Sequence, residues 1–178
     1  DWGAFNRISQ TFSENGISFL KFNFSHNGTT ENDQFNFCDL EAFGNNNFSI
    51  ELDDLKLVVD WVEQNLKDKV DVSNINLLGH SRGGGLSILK ANEDSRINKV
   101  ASWASVGDFS ERMPKEKLEV WRNRGVVYVY NSRTNQQMPI YYQFYEDYVL
   151  NQQRLDTPSA AKNIENKVLV VHGTLDET

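Results

Sequence analysis

A glycine-rich turn near the middle of the chain restricts the fold more than any other feature of the sequence. Residues 79–83 read Gly-His-Ser-Arg-Gly and fit the pattern Gly-x-Ser-x-Gly. An apolar run at 75–78 precedes this turn, and a helical pattern at 83–91 follows it. A strand that turns sharply into a helix strains the backbone at the turn, and glycines two residues away avoid collisions there. The sequence therefore predicts a strand–turn–helix unit with Ser81 at the turn.

The rest of the chain alternates between helical and strand patterns. Helices are predicted at 4–15, 49–66 and 83–91, and strands at 17–24, 74–78, 99–103 and 167–171. Strands separated by helices of about a dozen residues indicate βαβ units. The predicted fold is therefore α/β, with a mostly parallel sheet flanked by helices. The continuous apolar run at 167–171 predicts a strand that is covered on both faces of this sheet.

One stretch, residues 108–158, interrupts the alternation. It is rich in tyrosine and far exceeds the usual connection of about 2–6 residues between a strand and a helix. Two runs within it, 125–131 and 138–142, predict an antiparallel hairpin. We interpret 108–158 as a lid inserted into one domain that spans 1–178. Its aromatic residues are mostly core candidates, and Tyr128 and Tyr142 are candidates for lining a substrate pocket.

A second chemical signal follows the last predicted strand. Residues 172–177 read His-Gly-Thr-Leu-Asp-Glu, which places Asp176 at the carboxyl end of that strand, where open α/β sheets bind ligands. An aspartate in such a turn is usually a turn former or a helix cap. The order serine then aspartate is also that of the nucleophile-elbow hydrolases. Together with Ser81 it predicts Asp176 as the acid of a catalytic triad, and the backbone N–H of Arg82 as an oxyanion-hole donor.

Composition excludes several other classes of function. The 178 residues include 25 acidic and 18 basic side chains, a net charge of −7, which argues against nucleic acids and anionic membranes as partners. The longest apolar runs fall far short of the roughly 20 residues that span a bilayer. No targeting signal is visible, so the expected location is cytoplasmic. The single cysteine, Cys38, cannot form an intramolecular disulfide and is expected to be a small buried side chain.

Neither a cofactor nor a metal is expected. No histidine, cysteine or acidic residues have the spacing of a metal site. The glycines at 83–85 follow a serine and lack the lysine of a phosphate-binding loop. The expected partner is a small-molecule ester substrate, and the oligomeric state is left open.

The segments at 79–84 and 172–177 together resemble the α/β-hydrolase superfamily. The likeness is greatest to its dienelactone-hydrolase-like and prolyl-oligopeptidase-like small serine esterases, including the feruloyl-esterase type. Residues 21–28 resemble the strand-end segment of that family, and 108–158 matches the position of its inserted lid. The resemblance covers nearly the whole chain. It implies an α/β-hydrolase core that hydrolyses small or medium acyl esters, aromatic ones among them, through an acyl-enzyme and without a cofactor.

Two features of the family are not matched. Its catalytic histidine lies downstream of the acid, whereas this sequence ends two residues after Asp176. Its second oxyanion donor precedes the first helix, where this sequence begins. The chain is therefore expected to be truncated at both ends and to be inactive alone.

The three histidines of the chain are weak candidates for the missing base. His80 is the variable residue of the serine motif, and the position of His172 is structural in the family. His26 lies on a loop after a predicted strand, and we interpret it as a residue that lines the pocket.

Three alternatives to an esterase stay open. The same triad order occurs in peptidases and amidases of the prolyl-oligopeptidase type, although these usually have a large gating domain. A non-catalytic binding protein could keep the hydrolase pocket, but it would have no reason to keep a strained serine turn. The chain could also be a structured fragment that is informative about the fold and silent about activity.

Overall fold

The computed structural model describes residues 4–33, 36–113, 115–164 and 168–176. Its helices are α1 Ala4–Glu14, α2 Leu40–Gly44, α3 Phe48–Leu66, α4 Arg82–Glu93, α5 Leu118–Arg124, α6 Gln143–Leu150 and α7 Thr157–Asn163, with short 3-10 turns at Phe109–Arg112 and Lys115–Lys117. Its strands are β1 Ile75–His80, β2 Ile97–Trp103, β3 Val126–Asn131, β4 Gln136–Tyr141 and β5 Val168–Val171. None of the helices in these ranges has the length and apolar character that crossing a membrane requires.

Strands β1, β2 and β5 form a three-stranded sheet in the order β1–β2–β5, and neighbouring strands in it run parallel. This confirms the predicted α/β class with a mainly parallel sheet. The register aligns His80 with Trp103, and Trp103 with Val171, so the three strands end on one line. The turn at Ser81 and the turn after β5 therefore leave the sheet at the same edge.

Helix α4 packs directly on this sheet, against β1 and β2. Two glycines let α4 lie close to the segment that follows β2. A Cβ at Gly84 would lie 2.8 Å from the Cβ of Ser105, and a Cβ at Gly85 would lie 2.9 Å from the ring of Phe109. The buried face of the helix carries Leu86 and other apolar residues, which form the centre of the core.

The segment between β2 and α7 contains the predicted hairpin. Strands β3 and β4 pair antiparallel from Val126 opposite Tyr141 to Asn131 opposite Gln136, as the alternating pattern indicated. Helices α5 and α6 flank the hairpin and were not predicted. The indole N–H of Trp121 in α5 donates to the backbone oxygen of Ile140 at 2.9 Å, which ties the helix to the hairpin.

An aromatic cluster joins this segment to α3. The ring centroid of Phe48 lies 4.3 Å from that of Phe109 and 4.7 Å from that of Phe144. Polar contacts accompany the rings, since Asn47 donates to the amide oxygen of Gln143 at 2.8 Å. Because aromatic pairs bury large apolar areas in defined geometries, the segment is held firmly against the core.

The predicted strand at 17–24 is wrong, because the structure has no strand there. Aromatic and β-branched residues favour a strand only where a partner strand completes the hydrogen-bonded ladder. No described strand pairs with this segment, and Ile17 and Leu20 are exposed within the part of the chain that the structure describes.

Two burial predictions are also wrong. Strand β5 lies at the edge of the sheet, and Leu169 and Val170 are 61% and 65% exposed, so the strand is not covered on both faces in the described structure. Cys38 is exposed on the loop before α2, where its thiol lies 3.5 Å from a carboxylate oxygen of Asp33. A run of apolar residues predicts a strand, but the elements packed around it decide its burial.

A charged cluster fastens the end of the segment between β2 and α7 to two helices. Arg154 donates to Glu93 of α4 at 2.6 Å and to Asp53 of α3 at 2.9 Å. The ammonium group of Lys90, itself almost fully buried, donates to Glu93 at 2.9 Å. Burial of the Glu93 carboxyl opposes its ionisation, but the hydrogen bonds from Arg154 and Lys90 outweigh this and lower its pKa. Glu93 is thus stabilised in its charged form by folding.

We expect this carboxylate to make folding sensitive to acid. The pKa of Glu93 is lower in the folded protein than its ordinary value of 4.5, so the unfolded chain takes up the proton first. The stabilisation is present above pH 4.5 and is lost as the pH falls through the lower folded value. Urea denaturation from about pH 6 to about pH 3 should show a shallower loss of stability in Glu93→Gln than in the wild type. Glu119 is exposed, and Glu119→Gln should follow the wild type. The prediction would be contradicted if the free energy of unfolding fell equally with pH in all three proteins.

Phe48→Ala tests the aromatic cluster. Removing a buried ring leaves a cavity among Phe109 and Phe144, so we expect the free energy of unfolding to fall by about 3–5 kcal/mol. Leu57→Ala, on the same helix but 63% exposed, should change it by no more than about 0.5 kcal/mol. Urea denaturation measures both, and a similar small loss in the two variants would show that the cluster is not a main contributor to stability.

Candidate active site

The turn between β1 and α4 holds Ser81 in a strained conformation. Its backbone has φ 54° and ψ −123°, in a region that side-chain-bearing residues rarely adopt. Such strain costs about 1–3 kcal/mol and persists only where the surrounding structure enforces it. Ser81 N–H donates to the backbone oxygen of Trp103 at 2.9 Å, and Val106 N–H donates to the oxygen of Ser81 at 3.3 Å. The neighbouring strand and its turn thus hold the serine at the end of the sheet.

The two glycines of the serine motif have different roles. A Cβ at Gly79 would lie 2.1 Å from the carbonyl oxygen of Gly83, which no side chain can tolerate. A Cβ at Gly83 would meet no described atom within 4 Å. The sequence pattern suggested that both glycines prevent collisions, and the structure shows this for Gly79 only. The close approach of β1 to the first turn of α4 is the reason.

A second strained residue, Ala104, lies beside this turn and was not foreseen. It follows β2, has φ 44°, and donates its N–H to the backbone oxygen of Val171 at 2.8 Å. No motif marks it in the sequence, because alanine is not a residue that signals a left-handed turn. The ends of β1, β2 and β5 are therefore joined by one series of backbone hydrogen bonds.

Asp176 lies in the turn after β5, at the same edge of the sheet as Ser81. Its N–H donates to the oxygen of Gly173 at 3.1 Å, and its carboxylate lies 3.4 Å from Nε2 of His172. Strands in a sheet are about 4.8 Å apart, so two strand spacings separate β5 from β1 by roughly 10 Å. Ser81 and Asp176 therefore follow the two outer strands of the described three-stranded sheet.

Each of the three histidines has a partner other than Ser81. His26 Nδ1 lies 2.7 Å from the hydroxyl of Ser25, and the ring of His80 packs edge-on against Trp103. His172 is paired with Asp176. Among the described residues, none of the three forms a hydrogen bond with Ser81.

The two tyrosines predicted to line a pocket occupy different surroundings. Tyr128 on β3 is 61% exposed. Tyr142 packs within the segment between β2 and α7, with ring centroids 5.8 Å from Trp121 and 5.7 Å from Tyr145. Their contact with a substrate stays a prediction.

The side chain of Arg82 has an environment that the sequence did not reveal. Its Nη1 donates to Oε1 of Glu51 at 2.9 Å, and Asn46 donates to the same oxygen at 2.7 Å. The guanidinium also lies over the rings of Phe48 and Phe144, 5.2 Å and 5.6 Å from their centroids. A signal for Glu51 was available, since it is a charged residue three positions after Phe48 on the apolar face of α3.

In the ranges that the structure describes, no group of three or more histidine, cysteine, aspartate or glutamate side chains is placed to hold a metal ion.

No family model and no curated protein matches the chain. Among solved structures, the chain resembles the esterase domain of a Rhodothermus marinus protein, with a TM-score of 0.55 and 17% identity over 97% of this chain and 59% of that one. It also resembles a hypothetical protein from Pseudomonas aeruginosa, with a TM-score of 0.57 and 18% identity over 95% of this chain and 63% of that one. The chain shares its fold with an esterase domain. It spans about three fifths of the length of either structure.

The difference between the two motif glycines is testable. Gly79→Ala should prevent native folding or lower the free energy of unfolding by more than about 4 kcal/mol, because the added methyl group overlaps the Gly83 backbone. Gly83→Ala should be tolerated and can gain about 0.5–1 kcal/mol, since alanine favours a helix over glycine. Thermal or urea denaturation distinguishes them, and equal stability of the two variants would contradict the close approach.

Proposed function

We propose that this chain is part of an α/β hydrolase that cleaves carboxylic esters with Ser81 as its nucleophile. The observation that carries the proposal is the strained Ser81 between strand β1 and the N-terminus of α4. A nucleophile elbow needs this conformation, because it exposes the serine hydroxyl above the end of the sheet. A protein that only binds a ligand gains nothing from the strain. The shared fold with an esterase domain supports the same conclusion.

The proposed reaction has two steps. The Ser81 hydroxyl attacks the ester carbonyl carbon, its proton passes to a histidine base and then to the departing alcohol, and an acyl-enzyme forms. Water then attacks the acyl-enzyme and releases the acid, and Ser81 regains its proton. The backbone N–H of Arg82 donates to the oxyanion of each tetrahedral intermediate, where the N-terminal dipole of α4 also favours negative charge. Asp176 orients the histidine.

The histidine base is proposed to come from polypeptide outside these 178 residues. His26, His80 and His172 contact Ser25, Trp103 and Asp176 instead of the nucleophile. Without a base the serine hydroxyl is a weak nucleophile at neutral pH. Removal of a triad member leaves only about 10³–10⁴-fold catalysis over water, so this chain alone should hydrolyse esters poorly.

The proposed substrates are esters of small or medium acyl groups, with hydroxycinnamoyl esters among them. The segment 108–158 is proposed to act as a lid, because it carries many aromatic side chains and is packed on α3 close to the elbow. Tyr128, Tyr142 and His26 are proposed to line the pocket under it. An aromatic acyl group stacked on a tyrosine ring would gain about 0.5–1.5 kcal/mol beyond its area burial.

Labelling with a fluorophosphonate tests the nucleophile. The reagent forms a covalent bond with an activated serine, and intact mass reports it. In the longest form of the protein that its gene encodes, we expect one label on Ser81 and none in Ser81→Ala. This chain alone should be labelled much more slowly, because its serine lacks a base.

Each arm of this experiment can contradict the proposal. A folded long form that takes up no label would mean that the fold serves binding. Steady turnover of an activated ester by this chain alone, lost in Ser81→Ala, would show that the base lies within it. A matched amide hydrolysed as fast as its ester would indicate a peptidase or amidase instead.

A further inference from the structure

We infer that Glu51 is a positioning residue for the oxyanion hole, acting through the side chain of Arg82. This inference rests on the proposed function, in which the backbone N–H of Arg82 is the oxyanion donor. Glu51 lies on α3 and contacts the turn after β1 through an ion pair with the side chain of Arg82.

The burial of Glu51 calls for an explanation. The residue is only 4% exposed and occupies the apolar face of α3, together with Phe48, Leu52 and Leu55. A buried carboxylate is costly, and an apolar residue of similar volume is often at least as stabilising as a buried ion pair. One oxygen of Glu51 is buried without a hydrogen-bond partner among the described residues. Stability alone therefore does not favour a glutamate at this position.

The other oxygen of Glu51 holds the side chain of Arg82 in place. It accepts from Nη1 of Arg82 at 2.9 Å and from Asn46 at 2.7 Å, and Asn46 is itself buried. Phe48 and Phe144 lie against the same guanidinium, within cation–π distance. Arg82 is thus held by a carboxylate and two rings, although nearly half of its side chain is exposed.

This anchor adds to the backbone contacts that already hold the turn. Arg82 follows the strained Ser81 and precedes Gly83, which has no side chain, so the contacts of the Arg82 side chain further restrain the first turn of α4. An oxyanion donor must be held in place before the reaction, because a misplaced donor stabilises the transition state less. By holding the guanidinium, Glu51 fixes the direction of the Arg82 N–H. Phe144 belongs to α6, so the inserted segment takes part in the same anchor.

Glu51→Gln tests this, because it keeps the volume of the side chain and removes its charge. In the long form of the protein, we expect the maximal rate of fluorophosphonate labelling to fall about tenfold, less than the 10²–10³-fold loss of a whole donor. The reagent concentration at half-maximal rate should not change. In this chain, ¹⁵N relaxation should show increased motion of the Arg82 backbone N–H. Asp60→Asn is the control and should leave both measurements at the wild-type value, since Asp60 lies on the same helix as Glu51 but forms ion pairs with Lys56 and Arg96.

The result that overturns the inference is a Glu51→Gln variant with reduced stability but with wild-type Arg82 motion and labelling rate. Glu51 would then be only a structural residue. A change confined to the half-maximal concentration would also overturn it, because it would place Glu51 in binding rather than in positioning. If the wild-type long form takes up no label, the proposed function fails, whereas the relaxation measurement still decides whether Glu51 holds Arg82.

Discussion

The close contact between the backbones of Gly79 and Gly83 is the constraint on which the rest of the site depends. It lets α4 start directly beside the end of β1, with one residue, Ser81, at the turn. Gly84 and Gly85 extend the same close packing along the helix, against the turn after β2. One short run of sequence therefore sets the strand, the helix and the exposed serine in a single arrangement.

The sheet maintains this arrangement at its carboxyl edge. Ser81 is hydrogen-bonded to the end of β2, and Ala104 after β2 is hydrogen-bonded to the end of β5. Three parallel strands thus hold the strained backbone at two neighbouring turns. In an isolated loop, nothing would enforce these conformations. The turns that carry Ser81 and Asp176 leave this edge from strands two positions apart, so the sheet sets the spacing of the two turns.

Helix α3 connects this edge to the segment between β2 and α7. Its first turn presents Phe48 to the aromatic rings and Glu51 to Arg82, so one helix end contacts both the segment and the residue after the serine. Burial of the Glu51 carboxylate is the energetically unfavourable part of this junction. Its partner, Arg82, directly follows Ser81 in the turn after β1.

The sequence by itself determined the features that depend on near neighbours in the chain. Glycine spacing predicted the turn at Ser81, and alternation predicted the β3–β4 hairpin, because steric clashes and periodicity act over a few residues. Only the tertiary structure decided that residues 17–24 form no strand and that β5 is exposed. A strand needs a partner strand that is distant in the sequence, and burial needs other elements packed against it. The same holds for Arg82, whose carboxylate partner lies 31 residues away in the sequence and reaches it only because α3 packs on α4.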